Sequence, residues 1–272
     1  MHSPRFMLRI AALVCAALAM GGLPARAEMS NEDLAKLSQN PVANLISLPF
    51  QNNTNFNYGQ NRLPQDILNV QPVIPFTLGP DWRLITRSVM PIMFAPSDGT
   101  VKAANGLGDL QVSGFLSPTA ASNWIWGLGP ITQIPTHTDP VLGNDNLGLG
   151  PTGVIVHMEK GSPWVLGLLL NNVWSVQTNW LAKTYVNGLA QPFINYNFAE
   201  GFYLTSSPMI TMDWLAKANQ QLVLPLGGGF GKIFHLGKQP INASISAYYN
   251  VVRPDYGADW QLRAQVQFMF PE

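Results

Sequence analysis

The last strand-length stretch of the chain, residues 260–270, alternates between apolar and polar side chains, as a β-strand with two unlike faces does. One face is wholly apolar and begins and ends with an aromatic: Trp260, Leu262, Ala264, Val266, Phe268 and Phe270. The other face is almost wholly polar: Gln261, Arg263, Gln265, Gln267 and Met269. Soluble sandwich strands seldom run this long with such a polar face, whereas a transmembrane barrel strand turns apolar residues to lipid and polar residues to the lumen.

The N-terminus predicts export. Arg5 and Arg9 precede an apolar run, Ile10–Met20, that glycines and a proline follow, and this is the layout of a secretory signal peptide. The small-x-small triplet 25–27 predicts cleavage after Ala27. The apolar run is too short for a membrane anchor, which needs about 18 apolar residues.

Charge and cysteine content narrow the class of protein further. The only cysteine, Cys15, lies inside the apolar run, so the mature chain is expected to contain no disulfide or reactive thiol. Arg5, Arg9 and Arg26 leave with the signal peptide, so twelve basic and fifteen acidic residues remain, a net charge of −3. A nucleic-acid partner is therefore not expected.

The mature chain has few charges, yet it contains no second stretch long enough to span a bilayer as a helix. Lipid does not tolerate unpaired backbone polar groups, so the remaining membrane-spanning structure is a closed β-barrel. The predicted organisation is a signal peptide over 1–27, an N-terminal periplasmic helix within 28–41 and an outer-membrane barrel over 42–272. In the helix, spanning 31–38 and stopped by Pro41, Ser30 is the expected N-cap, and Met29 and Leu34 form a hydrophobic staple.

Period-two patterning predicts a transmembrane antiparallel up-and-down barrel of about twelve strands. Short connections alternate with mostly longer, more polar ones, which places the short set in the periplasm and the long set outside the cell. An even strand count leaves both termini and the helix on the periplasmic side. The predicted strands are 43–56, 66–77, 82–94, 107–118, 124–135, 147–158, 164–176, 186–198, 202–214, 220–233, 240–252 and 260–270.

Tryptophan positions support this arrangement. One group opens strands directly after short turns, and a second group lies beside the long loops, so the two predict aromatic girdles at both membrane interfaces. From Trp164 to Trp174 is ten residues, and at about 3.3 Å per residue and a tilt of about 40–45° this gives a height of roughly 25 Å, that of the apolar band. The two groups are Trp82, Trp124 and Trp164, and Trp174, Trp214 and Trp260.

Sequence stretches spread over nearly the whole mature chain carry a family resemblance. The stretches are NPVANLISLPFQNNTNF (40–56), ILNVQPVIPFTLG (67–79), WRLITRSVMPI (82–92), GLGDLQVSGFLSP (106–118), QPFINYNF (191–198), YLTSSPMIT (203–211), LPLGGGFGKIF (224–234) and AYYNVVRPDYGADWQLRAQVQFMFP (247–271). They resemble a bacterial outer-membrane family named for the meta-pathway of phenol degradation, whose members are often labelled transporters. The resemblance implies a barrel that passes small compounds, with aromatic ones among the candidates, and it brings no catalytic residues.

Two motifs with a chemical meaning fail on their context. Gly148 to Gly153 match the letters of a dinucleotide fingerprint, but a long loop precedes them and a predicted strand follows, where the mechanism needs a strand and then a helix. His137 with Asp139, or His157, could belong to a barrel hydrolase, yet no serine lies in a recognisable nucleophile context, and a solvated loop histidine is the better interpretation. The scattered histidines also give no metal-ligand spacing, so no catalytic residue, metal or cofactor is predicted.

The candidate functional residues are polar side chains that strand alternation turns into the lumen. Two interpretations stay open: a hydrogen-bonded network that stiffens a narrow barrel, or a constriction that selects solutes by charge, with the inward arginines facing Asp109 and Asp213. Twelve strands lie between filled eight-stranded barrels and open ones of sixteen or more. The set is Arg83, Arg87, Asp109, Gln111, Asp213, Gln261, Arg263, Gln265 and Gln267.

The leading hypothesis is a passive outer-membrane channel for small solutes, with the N-terminal helix partly occluding the pore. The alternative is a structural or binding barrel that does not conduct. The expected partners are outer-membrane lipid, an unidentified small solute and the barrel-insertion machinery, which reads an aromatic-terminated last strand. Phe268 and Phe270 supply that signal, although Pro271 and Glu272 follow and make the match imperfect.

Overall fold

A computed structural model describes residues 29–97, 101–176 and 181–271. The predicted signal peptide, 1–27, lies outside these residues. The described part contains one α-helix, α1 (Asn31–Ser38), and a single sheet of fifteen strand segments. The segments are β1 (Ile46–Tyr58), β2 (Leu63–Val70), β3 (Val73–Thr77), β4 (Trp82–Ala95), β5 (Ala104–Leu107), β6 (Leu110–Pro118), β7 (Trp124–Ile134), β8 (Leu147–Met158), β9 (Trp164–Val176), β10 (Val186–Asn197), β11 (Phe202–Ser206), β12 (Ile210–Asp213), β13 (Leu222–Leu236), β14 (Gln239–Val252) and β15 (Trp260–Phe270).

The sheet closes on itself as an antiparallel barrel. β15 pairs with β14 on one side and with β1 on the other, in a register that runs from Ile46 opposite Phe270 to Phe56 opposite Trp260. Three pairs of segments, β2 with β3, β5 with β6 and β11 with β12, each form one interrupted wall strand. The wall therefore has twelve strands, and the predicted fold class is confirmed.

The predicted strands 66–77, 107–118 and 202–214 are present in the wall, but each is interrupted once. Two of the breaks contain a proline, Pro72 and Pro208, which has no N–H to donate to a ladder. The third break contains Gly108 and Asp109, and Asp109 accepts hydrogen bonds from a loop.

The barrel has two unlike ends. The end that we call the turn end carries the short connections 78–81, 119–123, 159–163, 198–201 and 237–238, together with both ends of the described chain. The opposite end, the loop end, carries the connections 59–62, 135–146, 214–221 and 253–259, together with the described residues 96–97, 101–103 and 181–185 of two further connections. Within the described residues, no helix is both long enough and apolar enough to cross a bilayer.

Helix α1 forms as its sequence predicts and lies inside the barrel at the turn end. The Ser30 hydroxyl oxygen accepts the Asp33 backbone N–H at 3.1 Å, which caps the helix. Leu34 and Ala35, both fully buried, pack in one cluster with Met29 and with the wall residues Tyr203, Ile233 and Met269.

The chain between the helix and β1 also stays inside the wall, which is why β1 begins at Ile46 and not at residue 43. Val42 is buried in a second apolar cluster that includes Ile85 and Phe115. Residues 29–45, which we call the inner segment, thus pack against the inner wall over two separate areas. The lumen at the turn end is filled by the chain itself.

Glycines of the fingerprint-like stretch lie within β8, where they allow close approach between backbones. A Cβ built on Gly150 would stand 1.7 Å from the carbonyl oxygen of Asn172 on β9, so no larger residue fits without moving a strand. The sequence-based prediction of a strand at 147–158 is confirmed.

We expect Gly150→Ala to lower the free energy of unfolding by about 1–3 kcal/mol, because the added methyl group overpacks a site bounded by backbone. Gly114→Ala is the matched control, since its Cβ would have only Leu84 Cδ1 within 4 Å, at 3.5 Å. Urea unfolding of both variants, followed by tryptophan fluorescence, measures the difference. Equal stability of the two variants would contradict the predicted clash.

Candidate functional site

A polar cavity of about 190 Å³ lies in the middle of the barrel, directly beyond the inner segment. Leu37, Ser38 and Gln39 form its floor toward the turn end, and its walls come from β1, β3, β4, β9, β10, β11, β14 and β15. We call this cavity the chamber. Its polar wall residues include Gln51, Gln71, Gln191, Ser207, Ser246 and Gln265.

Arg263, on β15, enters the chamber and is fixed by neutral groups only. Its Nε donates to Asn53 Oδ1 at 3.1 Å, its Nη1 to the carbonyl oxygen of Ser207 at 2.7 Å, and its Nη2 to Gln261 Oε1 at 3.0 Å. The guanidinium also lies 4.8 Å from the ring centre of Tyr248, a cation–π contact. These contacts hold Arg263 in one position, and no carboxylate of the described residues lies within 4 Å of its guanidinium.

Arg87, on β4, also lines the chamber, but it is held at one point. Its Nη2 donates to Gln71 Oε1 at 2.6 Å, and no ion pair includes it among the described residues. In the described part of the chain, the one buried side-chain nitrogen or oxygen without a partner is Arg83 Nε. Nε and Nη1 of Arg87 have no hydrogen-bond partner among the described residues either, yet they are not buried. They are therefore accessible from the chamber that Arg87 lines.

Arg83 also faces inward on β4, but it lies four residues nearer the turn end than Arg87 and does not line the chamber. Ile85, which lies between Arg83 and Arg87 on the same face of β4, is fully buried in the apolar cluster with Val42 and Phe115. This apolar layer separates the two arginines.

The acidic residues of the predicted set lie at the loop end, away from the chamber. Asp109 is buried, and its carboxylate accepts from His137 Nδ1 at 2.6 Å, from the Asn144 backbone N–H at 2.8 Å and from Gln133 Nε2 at 3.3 Å. Asp213 is exposed at the rim, where it accepts the Leu215 backbone N–H at 3.0 Å. The expected arrangement of inward arginines facing these two carboxylates is thus not what the structure contains.

The remaining predicted lumen residues face inward with defined partners. Gln111 donates to Gln133 Oε1 at 3.2 Å, and Gln261 donates to Asn55 Oδ1 at 3.1 Å. Gln265 and Gln267 line the chamber. Met269, on the same face, is the exception in chemistry, because it packs against α1 rather than against polar groups.

His137 departs from its sequence-based interpretation as a solvated loop histidine. Its side chain is 9% exposed, and its two ring nitrogens contact two carboxylates, Asp109 at 2.6 Å and the more exposed Asp145 at 3.2 Å. No serine hydroxyl is among these contacts. The sequence carried no signal for the pairing, because Asp109 lies 28 residues earlier, in the break between β5 and β6.

The His137–Asp109 contact holds the connection 135–146 against the inner wall. Leu142 of this connection is buried with Met93, Ala95 and Ala104 at the loop end of β4 and β5. The loop is therefore folded back into the mouth of the barrel.

The predicted girdle tryptophans all lie on the outer face, between 39% and 57% exposed. At the turn end, aromatic rings follow one another around the wall, from Trp164 through Tyr196, Phe198 and Phe202 to Phe230, with ring centres 4.8–6.1 Å apart. At the loop end, Trp260 contacts Tyr249 at 4.8 Å. Trp82, Trp124, Trp174 and Trp214 complete the predicted set, whose role at a membrane interface stays a prediction.

A charged brace that sequence reasoning missed joins two connections at the loop end. Asp259 accepts hydrogen bonds from Arg253, Asn57 and Arg62. These contacts lower the pKa of Asp259 below its usual value of 3.8, and the hydrogen bond from Arg253 has the largest effect. Burial of the carboxylate acts in the opposite direction, but its effect is smaller. The residues are up to 202 positions apart in sequence, so no local pattern points to the brace.

Among the described residues, no group of three or more His, Cys, Asp or Glu side chains could hold a metal ion. No protein-family model and no curated protein matches the chain. An outer-membrane channel from Pseudomonas putida F1 is similar in structure, with a TM-score of 0.64 at 14% identity, over 83% of this chain and 95% of that one. This similarity shows a fold shared with a solved outer-membrane channel.

Two further solved barrels are similar at a lower level. Outer membrane phospholipase A from Escherichia coli has a TM-score of 0.43 at 11% identity, over 90% of this chain and 99% of that one. The translocator domain of the autotransporter NalP from Neisseria meningitidis has a TM-score of 0.40 at 10% identity, over 98% of this chain and 95% of that one. Both TM-scores are too low to carry a functional argument.

Asp109→Ala should release the connection 135–146, because His137 and the Asn144 N–H then lose a buried acceptor, at a cost on the order of 1–3 kcal/mol. Faster chymotrypsin cleavage after Leu142 in the folded barrel is the expected result. Asp145→Ala is the control, since that carboxylate is 59% exposed and its contact is worth little. Identical cleavage rates in parent and Asp109→Ala protein would show that this contact does not fasten the loop.

The Asp259 brace should make stability depend on pH in the acid range. Its contribution is fully present above pH 3.8 and is lost as the pH falls through the lowered pKa of the folded protein. The difference in unfolding free energy between parent and Asp259→Asn protein should therefore shrink toward zero on acidification. A difference that stays constant across this range would rule out an ionised Asp259 as its source.

Proposed function

We propose that this protein is a passive outer-membrane channel for small solutes, whose inner segment is a removable obstruction. The observation that supports the proposal best is the position of the inner segment: a stretch of chain that precedes the wall fills the lumen next to the partly open chamber. A barrel needs no such segment to close its wall, because β1 and β15 pair directly.

The contacts on one side of the inner segment are of a kind that water can replace. Gln39 Nε2 donates to Asn197 Oδ1 at 2.9 Å, and Asn242 Nδ2 donates to Ser38 Oγ at 3.2 Å. Neutral hydrogen bonds of this type contribute about 0.5–1.5 kcal/mol each, since water competes for both partners. The apolar contacts of Leu34 and Val42 are what holds the segment more firmly.

The shared fold with a solved outer-membrane channel, the inward polar residues and the outward aromatic rings all favour placement in an outer membrane. We propose cleavage of the signal peptide after Ala27, the turn end in the periplasm, and assembly through the aromatic-terminated strand β15. Membership of the phenol meta-pathway family, and with it passage of aromatic solutes, is part of this proposal and rests on the sequence resemblance.

A second candidate, a structural or binding barrel that does not conduct, is favoured by the same filled lumen. The apolar layer of Val42, Ile85 and Phe115 would stop ions unless the inner segment moves. The two candidates differ in whether displacing the segment opens a path, and this can be measured.

The test is a cross-link between the inner segment and the wall, at Ser38→Cys and Asn242→Cys, in a mature chain that otherwise has no cysteine. If the segment moves to open the pore, oxidation of the pair or its bridging by a short bifunctional thiosulfonate should suppress single-channel openings in planar bilayers. Reduction should restore them.

Each single-cysteine variant, treated in the same way, is the control. A deletion of the inner segment, residues 29–45, should conduct more than the parent, with more frequent or larger openings. Correctly folded parent and deletion proteins that both stay silent would exclude the channel in favour of the second candidate.

A further inference from the structure

We infer that the chamber is a binding site for a small anion of the carboxylate class, with Arg87 as the group that contacts it. The inference deepens the proposed function, because it names the kind of solute that the channel would favour. Binding itself can be tested whether or not the barrel conducts.

The charges that line the chamber all have one sign. Among the described residues, its charged side chains are Arg87 and Arg263, and its other lining groups are neutral amides, hydroxyls and apolar side chains. No described carboxylate lies within 4 Å of either guanidinium. Asp109 and Asp213, the acidic residues expected to oppose them, are held at the loop end by other contacts.

A cation inside a barrel without a counter-ion is costly, because protein groups replace only part of its hydration shell. A bound anion supplies the missing charge. Two guanidinium groups that line one cavity raise the local concentration of anions and disfavour cations.

The two arginines differ in what they offer a ligand. Arg263 uses Nε, Nη1 and Nη2 on neutral protein oxygens, so it contributes mainly its charge. Arg87 donates from Nη2 alone, and its other nitrogens open into the chamber. A guanidinium presents paired N–H groups that match the two oxygens of a carboxylate, so Arg87 is the contact residue.

The size of the chamber limits the ligand. At about 30 Å³ for each water molecule in the liquid, a space of about 190 Å³ holds a small monocarboxylate with some water. Acetate and its neutral isostere acetamide are therefore suitable probes, since they differ in charge and hardly in size.

Gln71 provides a variant that separates this site from a merely structural role. Its Oε1 already accepts from Arg87 at 2.6 Å, so Gln71→Glu places a carboxylate on the same guanidinium with little change in shape. This built-in counter-ion should compete with acetate while it strengthens the contact between the two side chains. If the two arginines only braced the wall and no anion entered the chamber, Gln71→Glu would not change acetate binding.

The experiment measures binding to the detergent-solubilised mature protein by saturation-transfer NMR on the methyl signal of each probe, in a low-salt buffer that contains no other carboxylate. The parent should bind acetate and not acetamide. Arg87→Gln and Gln71→Glu should weaken acetate binding by about tenfold or more, the loss of one charge-assisted hydrogen bond, whereas Arg87→Lys should retain part of it. Heat-modifiable migration on gels shows that each variant is folded.

Equal binding of acetate and acetamide by the parent, or acetate binding that Gln71→Glu leaves unchanged, would overturn the inference. Reversal potentials in a potassium chloride gradient then give the consequence for transport: the parent should prefer chloride, and Gln71→Glu should lose this preference. A parent that binds acetate and never conducts would contradict the proposed channel and leave the anion site standing. A parent that conducts without anion preference would show that the site does not select ions during conduction.

Discussion

The pairing of β1 with β15 is the contact on which the rest of the molecule depends. A sheet of this size would otherwise expose two long edges, each a row of unpaired N–H and C=O groups that water or another chain has to satisfy. Eleven residue pairs between Ile46 and Phe270 at one end and Phe56 and Trp260 at the other remove both edges. Closure also forms a lumen, and every second residue of each strand faces it. The charges of these residues therefore contribute to the same electrostatic potential in the lumen.

That enclosure explains why the wall was predictable from sequence and the interior was not. Strand positions follow from local alternation, and β8 and β9 begin and end at the predicted residues. The breaks at Pro72 and Pro208 could have been anticipated from the missing donor of proline. Helix α1 was equally predictable from nearby residues, since Ser30, Asp33 and the staple residues lie within one turn of its start.

The interior depends on contacts between residues that are far apart in sequence. Alternation correctly turns Arg87, Arg263 and Asp109 inward, but it gives neither their height in the barrel nor their partners. Asp109 was expected to face the arginines, yet a histidine 28 positions away holds it at the loop end. The chamber therefore carries charge of one sign, where the sequence suggested opposite charges in balance.

The position of helix α1 inside the barrel has a consequence for how the protein assembles. Leu34 and Ala35 pack in one cluster with Met269, a residue of the final strand, and all three are fully buried there. The two ends of the polypeptide thus build one binding surface that does not exist while the last strand is unpaired. A barrel without β15 in place offers the helix only part of this surface, so docking of the helix depends on the wall being closed.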